Sequence, residues 1–267
     1  MAPTLAARQP NTLAIIIGNH DYETAPAVPY AGNDADAFAK TLKTLGVDSA
    51  QIRTIKNLTL SRLNLWFGTE RRPGGRLKNL IPSNVEHVIV FYSGHGVPGE
   101  APGGLAPYLL PVDGSAAAPE VTGYPLKTLK ASLATLPVKQ VTLIMDACFS
   151  GLSPAGNLVP ETSGGFGVAV AAPEQQANVT VLSATAYDAR QFANWREDDE
   201  HGAFTYHLIG ALTGGAADQD RNGRLTMGEI AQHVSDALRR DALTWPEDRE
   251  QTPHLSNAGD TVFATFR

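Results

Sequence analysis

Residues 138–145 read VKQVTLIM and run directly into Asp146-Ala147-Cys148-Phe149-Ser150-Gly151. A continuous apolar, β-branched run that ends abruptly in small and polar residues is the pattern of a strand covered on both faces, as in a parallel sheet. Two other runs share it: residues 13–18 (LAIIIG), and residues 87–92 (HVIVFY), which stop at Ser93-Gly94-His95-Gly96. Weaker strand signals lie at 51–55, 108–112, 178–182 and 261–266. Between the strands the period changes to that of a helix. Asn33-Asp34 is placed to cap a helix over about 35–45, with Phe38, Leu42 and Leu45 on one face and Gly46 at its end. Residues 126–136 carry Leu126, Leu129, Leu133 and Leu136 at helical spacing, and 202–212 and 227–238 are further helix candidates. Strand and helix alternate, so the expected class is α/β, with a mostly parallel central sheet flanked by helices on both faces.

The 267 residues, 43% hydrophobic and 18% charged, suit a soluble globular chain, and a single cysteine excludes a disulfide scaffold. A net charge of −6 with no basic stripe argues against nucleic acid as a partner. No apolar stretch approaches the roughly 18 residues that span a bilayer, and residues 1–10 lack the plan of a secretory signal. No membrane association is expected, and the location is read as cytoplasmic. Residues 152–177, rich in Gly, Pro and Ser and lacking Lys and Arg, read as a long surface loop, and 1–10 as a flexible N-terminus. With no internal repeat or second core, one domain over 1–267 is the expectation.

Ligand sites in open parallel sheets gather beyond the carboxyl ends of the strands. His95 and Cys148 both stand just past such ends, in turns of small residues that allow backbone amides to approach a substrate carbonyl. Taken singly, a buried cysteine is usually packing and a histidine at a strand end usually structural. Paired in matching contexts, they supply a thiolate, an acid for an amine leaving group and N–H donors for an oxyanion, as in a cysteine protease. No G-x-S-x-G elbow occurs, and residues 13–18 are not followed by a dinucleotide-binding glycine fingerprint, which sets aside a serine hydrolase and a nucleotide fold.

Tyr92-Ser93-Gly94-His95-Gly96 and Asp146-Ala147-Cys148-Phe149-Ser150-Gly151, each after an apolar strand, resemble the catalytic segments of caspase-like cysteine peptidases of the bacterial metacaspase or orthocaspase type. The separation of His95 from Cys148 is close to the roughly 50 residues between histidine and cysteine in caspases. The resemblance extends from Ala14-Ile15-Ile16-Ile17-Gly18-Asn19 through His201-Gly202-Ala203-Phe204-Thr205-Tyr206 to Gln251-Thr252-Pro253. It implies a caspase-like fold acting on protein or peptide substrates, Cys148 as nucleophile, His95 as general acid and base, and the amides of Gly96 and Cys148 as the oxyanion hole. It further implies a primary pocket formed by Asp34, Ser93 and Asp146. Paired carboxylates select Arg or Lys. Asp34 as a mere helix cap, Asp146 as a strand end and Ser93 as turn packing are the plainer readings. Asn194-Trp195-Arg196 faintly resembles a caspase segment that lends the pocket an arginine, which leaves cleavage after Asp as the alternative specificity. A pseudoprotease serving as a binding or signalling module is the alternative of another class; the intact pair argues against it. The remaining histidines, including His201, follow no metal-ligand spacing and read as surface or core residues.

Residues 218–229 (DQDRNGRLTMGE) match the twelve-residue EF-hand loop: Asp218, Asp220, Asn222, the carbonyl of Arg224, Thr226 and Glu229 fall at the ligand positions, and Gly223 at the sharp turn. Calcium is therefore the one cofactor expected, with no organic cofactor; a plain polar helix connection is the competing reading. Metacaspases that respond to calcium do so through an acidic cluster after a Pro-Val-Asp segment. The corresponding stretch here, after Pro111-Val112-Asp113, is poor in carboxylates, so activation there is not expected. Calcium, a regulatory protein and a small signal molecule all stay open as means of control. With no Lys or Arg from 140 to 187, an enzyme of basic specificity has only Arg190 and Arg196 near the linker at which to cut itself.

Overall fold

A computed structural model describes residues 9, 11–102, 104–151, 158, 174–187, 191–246, 249–257 and 259–266. The expected N-terminal segment and most of the 152–177 loop lie outside them, as does Arg190. Six strands form the central sheet: β1 (Thr12–Gly18), β2 (Ile52–Lys56), β3 (His87–Ser93), β4 (Gln140–Asp146), β5 (Val179–Ser183) and β6 (His254–Ser256). Their order is β6-β5-β4-β3-β1-β2, parallel throughout except for β6, which pairs antiparallel with β5 at the edge.

The apolar runs at β1, β3 and β4 exist because both faces of these strands are covered. Ile15, Ile17, Val88, Val90 and Leu143 face a cluster that includes Leu63 and Phe67 of α2 (Leu60–Phe67) and Leu126, Leu129 and Leu133 of α3 (Leu126–Ala134). Their alternates Ala14, Ile16, Ile89, Phe91 and Ile144 face Phe38 and Leu42 of α1 (Ala31–Thr44), Leu208 of α4 (Ala203–Thr213) and Ile230 and Val234 of α5 (Met227–Asp241). Two apolar sets at period two add up to one run, interrupted in β4 by the buried Thr142.

The structure departs from the sequence expectation in four places. Helix α1 begins at Ala31, so Asn33 and Asp34 lie inside it; Tyr30 is its N-cap and Asp34 does not cap it. The 108–112 signal belongs to a separate antiparallel sheet of Gly96–Ala101, Gly104–Leu109 and Tyr124–Pro125. The 261–266 signal is Val262–Thr265, paired with Arg224–Thr226 outside the central sheet. Helix α2 and strand β6 carry too few residues for periodicity to announce them. Among the described residues no helix is long and apolar enough to cross a membrane.

Candidate active site

The chain reverses direction of sheet growth between β1 and β3, and side chains leaving β3, β4 and α1 converge at the carboxyl ends there. Register brings them together. Ser93, the last residue of β3, is the direct partner of Asp146, the last of β4. Two residues beyond each, His95 and Cys148 line one small cavity with Asp34, Ser93 and Asp146. The two turns touch at the backbone: a β-carbon on Gly96 would stand 2.6 Å from the Cys148 carbonyl oxygen. Only glycine fits that approach.

His95 is held from three sides. Its backbone N–H donates to the Tyr22 hydroxyl at 2.8 Å, its carbonyl accepts from the Tyr92 hydroxyl at 2.8 Å, and the Tyr22 ring lies 4.6 Å from the imidazole, centroid to centroid. Nε2 lies 2.7 Å from the Pro26 carbonyl oxygen. A carbonyl only accepts, so Nε2 carries the proton and Nδ1 is the basic nitrogen of the neutral ring. Burial pulls the His95 pKa down to about 4, with the Pro26 carbonyl opposing. Burial likewise pushes the Cys148 thiol up to about 11; the Ala193 N–H and the Ser150 hydroxyl oppose the rise and the Asp146 charge adds to it. At neutral pH Cys148 is a thiol and His95 a neutral imidazole.

The acidic side chains have distinct surroundings. Asp34 Oδ2 accepts from the Ser93 hydroxyl at 2.9 Å, and Oδ1 accepts from Gly202 N–H at 3.1 Å and pairs with His201 Nδ1 at 2.8 Å. Asp146 Oδ2 accepts from both the N–H and the hydroxyl of Thr205, at 3.1 and 2.6 Å. Burial, with Asp34 beside it, lifts the Asp146 pKa to about 7. Burial also lifts Asp34, against the pull of His201 and Ser93. Two carboxylates so confined cannot both be ionised cheaply without a cation.

A family model for the caspase domain matches residues 11–262. The chain belongs to the caspase family. The solved structure of caspase-1 from Spodoptera frugiperda is similar with a TM-score of 0.63 and 17% identity, over 96% of this chain and 90% of that one. Protein GSU0716 from Geobacter sulfurreducens is similar with a TM-score of 0.60 and 15% identity, over 94% of each chain. Both likenesses are of fold. No curated protein matches. The caspase domain is of the cysteine peptidase type, and protein substrates follow from the family.

Every pocket residue expected from the sequence lines this caspase-domain cavity. Three further contributors carry no sequence signal strong enough to single them out. Tyr22 and the Pro26 carbonyl come from the loop after β1, where no sequence pattern marks them. His201, read as a surface or core residue, in fact pairs with Asp34; its place beside Gly202 and Thr205 was the available signal. Arg196 is turned away from the cavity: its guanidinium pairs with Asp199 at 2.7 Å and Asp241 at 2.8 Å and lies over the Tyr206 ring.

The loop 218–229 connects α4 to α5 as expected. Carboxylate oxygens of Asp218, Asp220 and Glu229 lie within 4.8 Å of one another and are a group that could hold a metal ion. Gly223 takes φ +76° at the turn, and Arg224–Thr226 pairs with Val262–Thr265. Glu229 also closes a capping box with Thr226 at the start of α5. In the stretch after Pro111, Asp113 accepts from the Leu60 N–H at 2.8 Å and so serves the start of α2.

Proposed function

We propose that this caspase-family chain is a single-domain cysteine endopeptidase of the metacaspase type that cleaves after Arg or Lys. The observation that carries the reading is the convergence of Asp34 and Asp146 in the cavity that His95 and Cys148 also line, while Arg196 is neutralised elsewhere. An acidic cavity suits a cationic side chain and repels an aspartate, and Arg196 is held by Asp199 and Asp241 instead of meeting a substrate carboxylate there.

In this reading the substrate cation enters between the carboxylates and satisfies the charge that burial makes costly. Its scissile carbonyl then lies over Cys148. His95 Nδ1 takes the thiol proton as sulfur attacks the carbonyl carbon, and the amides of Gly96 and Cys148 receive the oxyanion. The imidazolium returns the proton to the leaving amine as the C–N bond breaks, giving a thioester. Water, deprotonated by His95, attacks the thioester and releases the acid and the thiol. The neutral resting pair means that the nucleophile is generated in the transition state and not stored beforehand.

Calcium belongs to the same proposal, at Asp218, Asp220, Asn222, the Arg224 carbonyl, Thr226 and Glu229. The gathered carboxylates and the positive φ of Gly223 fit a hard cation with oxygen ligands. An ion there would stiffen the junction of α4 with α5; no catalytic step involves it.

The test offers purified protein and a Cys148→Ala variant fluorogenic peptides ending in Arg, Lys or Asp, with calcium and with chelator. Turnover of Arg or Lys peptides by the wild type and none by the variant supports the reading. Turnover of the Asp peptide alone removes the pocket assignment. Equal inactivity of both proteins on every peptide favours the non-catalytic binding module.

A further inference from the structure

The two carboxylates of the cavity differ in what they still lack. Asp34 accepts three hydrogen bonds from the protein, one of them from His201. Asp146 accepts two, both at Oδ2, which leaves Oδ1 without a donor among the described residues. A carboxylate oxygen with no protein donor, on a buried residue that lines the cavity, is the natural acceptor for a substrate cation.

His201 stands at the boundary between two environments. Its side chain is 22% exposed where Asp34 is 2% exposed. On the other side the imidazole lines an open groove between α1, α4 and α5, shared with Lys40, Tyr206, His207 and His233. It can therefore exchange protons with solvent while its partner is sealed from it. The groups that bear on its charge are Asp34 from α1, Asp199 from the turn before it and Asp146 from the end of β4, with Lys40, His207 and His233 across the groove. The acidic neighbours dominate, led by the hydrogen bond to Asp34, and favour the imidazolium.

We propose that His201 is a positioning residue of the specificity pocket: its imidazolium fixes and neutralises Asp34, so that Asp146 can stand ionised and receive the substrate's cation. Without that charge, the pressure that Asp34 already exerts on Asp146 would go unopposed, and more of the pocket would meet an arriving cation in its protonated form. The inference rests on the basic specificity proposed above and assigns different tasks to its two carboxylates.

The test is the pH dependence of kcat/KM on an Arg peptide for wild type, His201→Gln and His201→Lys, with thermal melts as a check of folding. Glutamine keeps a donor near Asp34 without the charge; lysine keeps a charge. Removing a cation beside the carboxylates is expected to move the acid limb of the H201Q profile up by about one pH unit, carried by KM, with kcat changed by less than about threefold. The H201K limb is expected to stay near that of wild type. An H201Q limb that does not move, or a loss carried by kcat with KM unchanged, overturns the inference while leaving the basic specificity intact. If H201Q fails to melt cooperatively, the lysine variant decides: a limb near wild type supports the proposal and one displaced by a unit or more overturns it. A wild type that turns over neither Arg nor Lys peptides overturns the specificity itself and this inference with it.

Discussion

Gly202 lies with its α-carbon against the Asp146 carboxylate, so close that no β-carbon fits between the Gly202 backbone and Asp146 Oδ2. Its φ of −59° is open to any residue, so contact and not backbone strain demands glycine there. Gly202→Ala is expected to displace the Asp146 carboxylate from Thr205 and to raise KM for Arg peptides at least about tenfold, a loss of one hydrogen-bonded charge contact. Steady-state kinetics on Arg peptides, with a circular dichroism melt to confirm folding, measure it; an unchanged KM would count against Asp146 as the cation acceptor.

The protonation of the resting pair makes a second expectation. With the thiol held up to about 11 by burial and His95 held down to about 4, little thiolate exists at neutral pH. Alkylation by iodoacetamide should therefore accelerate steadily as pH rises from 6 to 9, with no plateau near neutrality. Cys148 is the one cysteine of the chain, so mass of the adduct against time reads it without ambiguity. A rate already level at pH 6 to 7 would show a preformed ion pair instead.

Tyr22→Phe removes the hydroxyl that accepts from the His95 N–H and leaves the ring beside the imidazole. A buried donor is orphaned, at a cost of about 1–3 kcal/mol in stability. If His95 is the proposed proton carrier, its loosened position should lower kcat by roughly tenfold with KM nearly constant. Denaturant melts and the kcat–KM split distinguish this from a pocket defect, which would appear in KM.

How far the sequence could be read depended on whether a residue's task is local. The strands at β1, β3 and β4 announce themselves because coverage on both faces leaves their middles almost wholly apolar, Thr142 of β4 being the polar exception. His95 and Cys148 stand in small-residue turns directly after two of these strands, so parallel register alone brings them to one cavity. The pairing of Asp34 with His201 has no such local mark. The two are 167 positions apart and meet only because α1 and the start of α4 pack over the same end of the sheet. The hydroxyl of Tyr22 and the carbonyl of Pro26 are likewise chosen by the loop's path, which no periodicity records. A helix cap is the plainer sequence reading of Asp34 that competes with a pocket role, and the start of α1 at Ala31 removes it.

The candidate calcium loop yields the last prediction, because its residues would hold two jobs that substitution can part. Glu229 accepts from the Thr226 N–H and hydroxyl at 2.9 and 2.8 Å and so completes the capping box of α5. Asp218 accepts from the N–H groups of Asn222 and Gly223 within the loop and caps no helix. Calcium at a hundred times its dissociation constant should stabilise the wild type by about 2.7 kcal/mol. Asp218→Asn is expected to melt near the wild type in chelator and to lose most of the calcium-dependent rise. Glu229→Gln should weaken the cap, costing about 1 kcal/mol in chelator, as well as losing the rise. Differential scanning calorimetry of the three proteins, with calcium and with chelator, separates these outcomes. A wild type whose melt ignores calcium would make the loop a polar helix connection held by its cap.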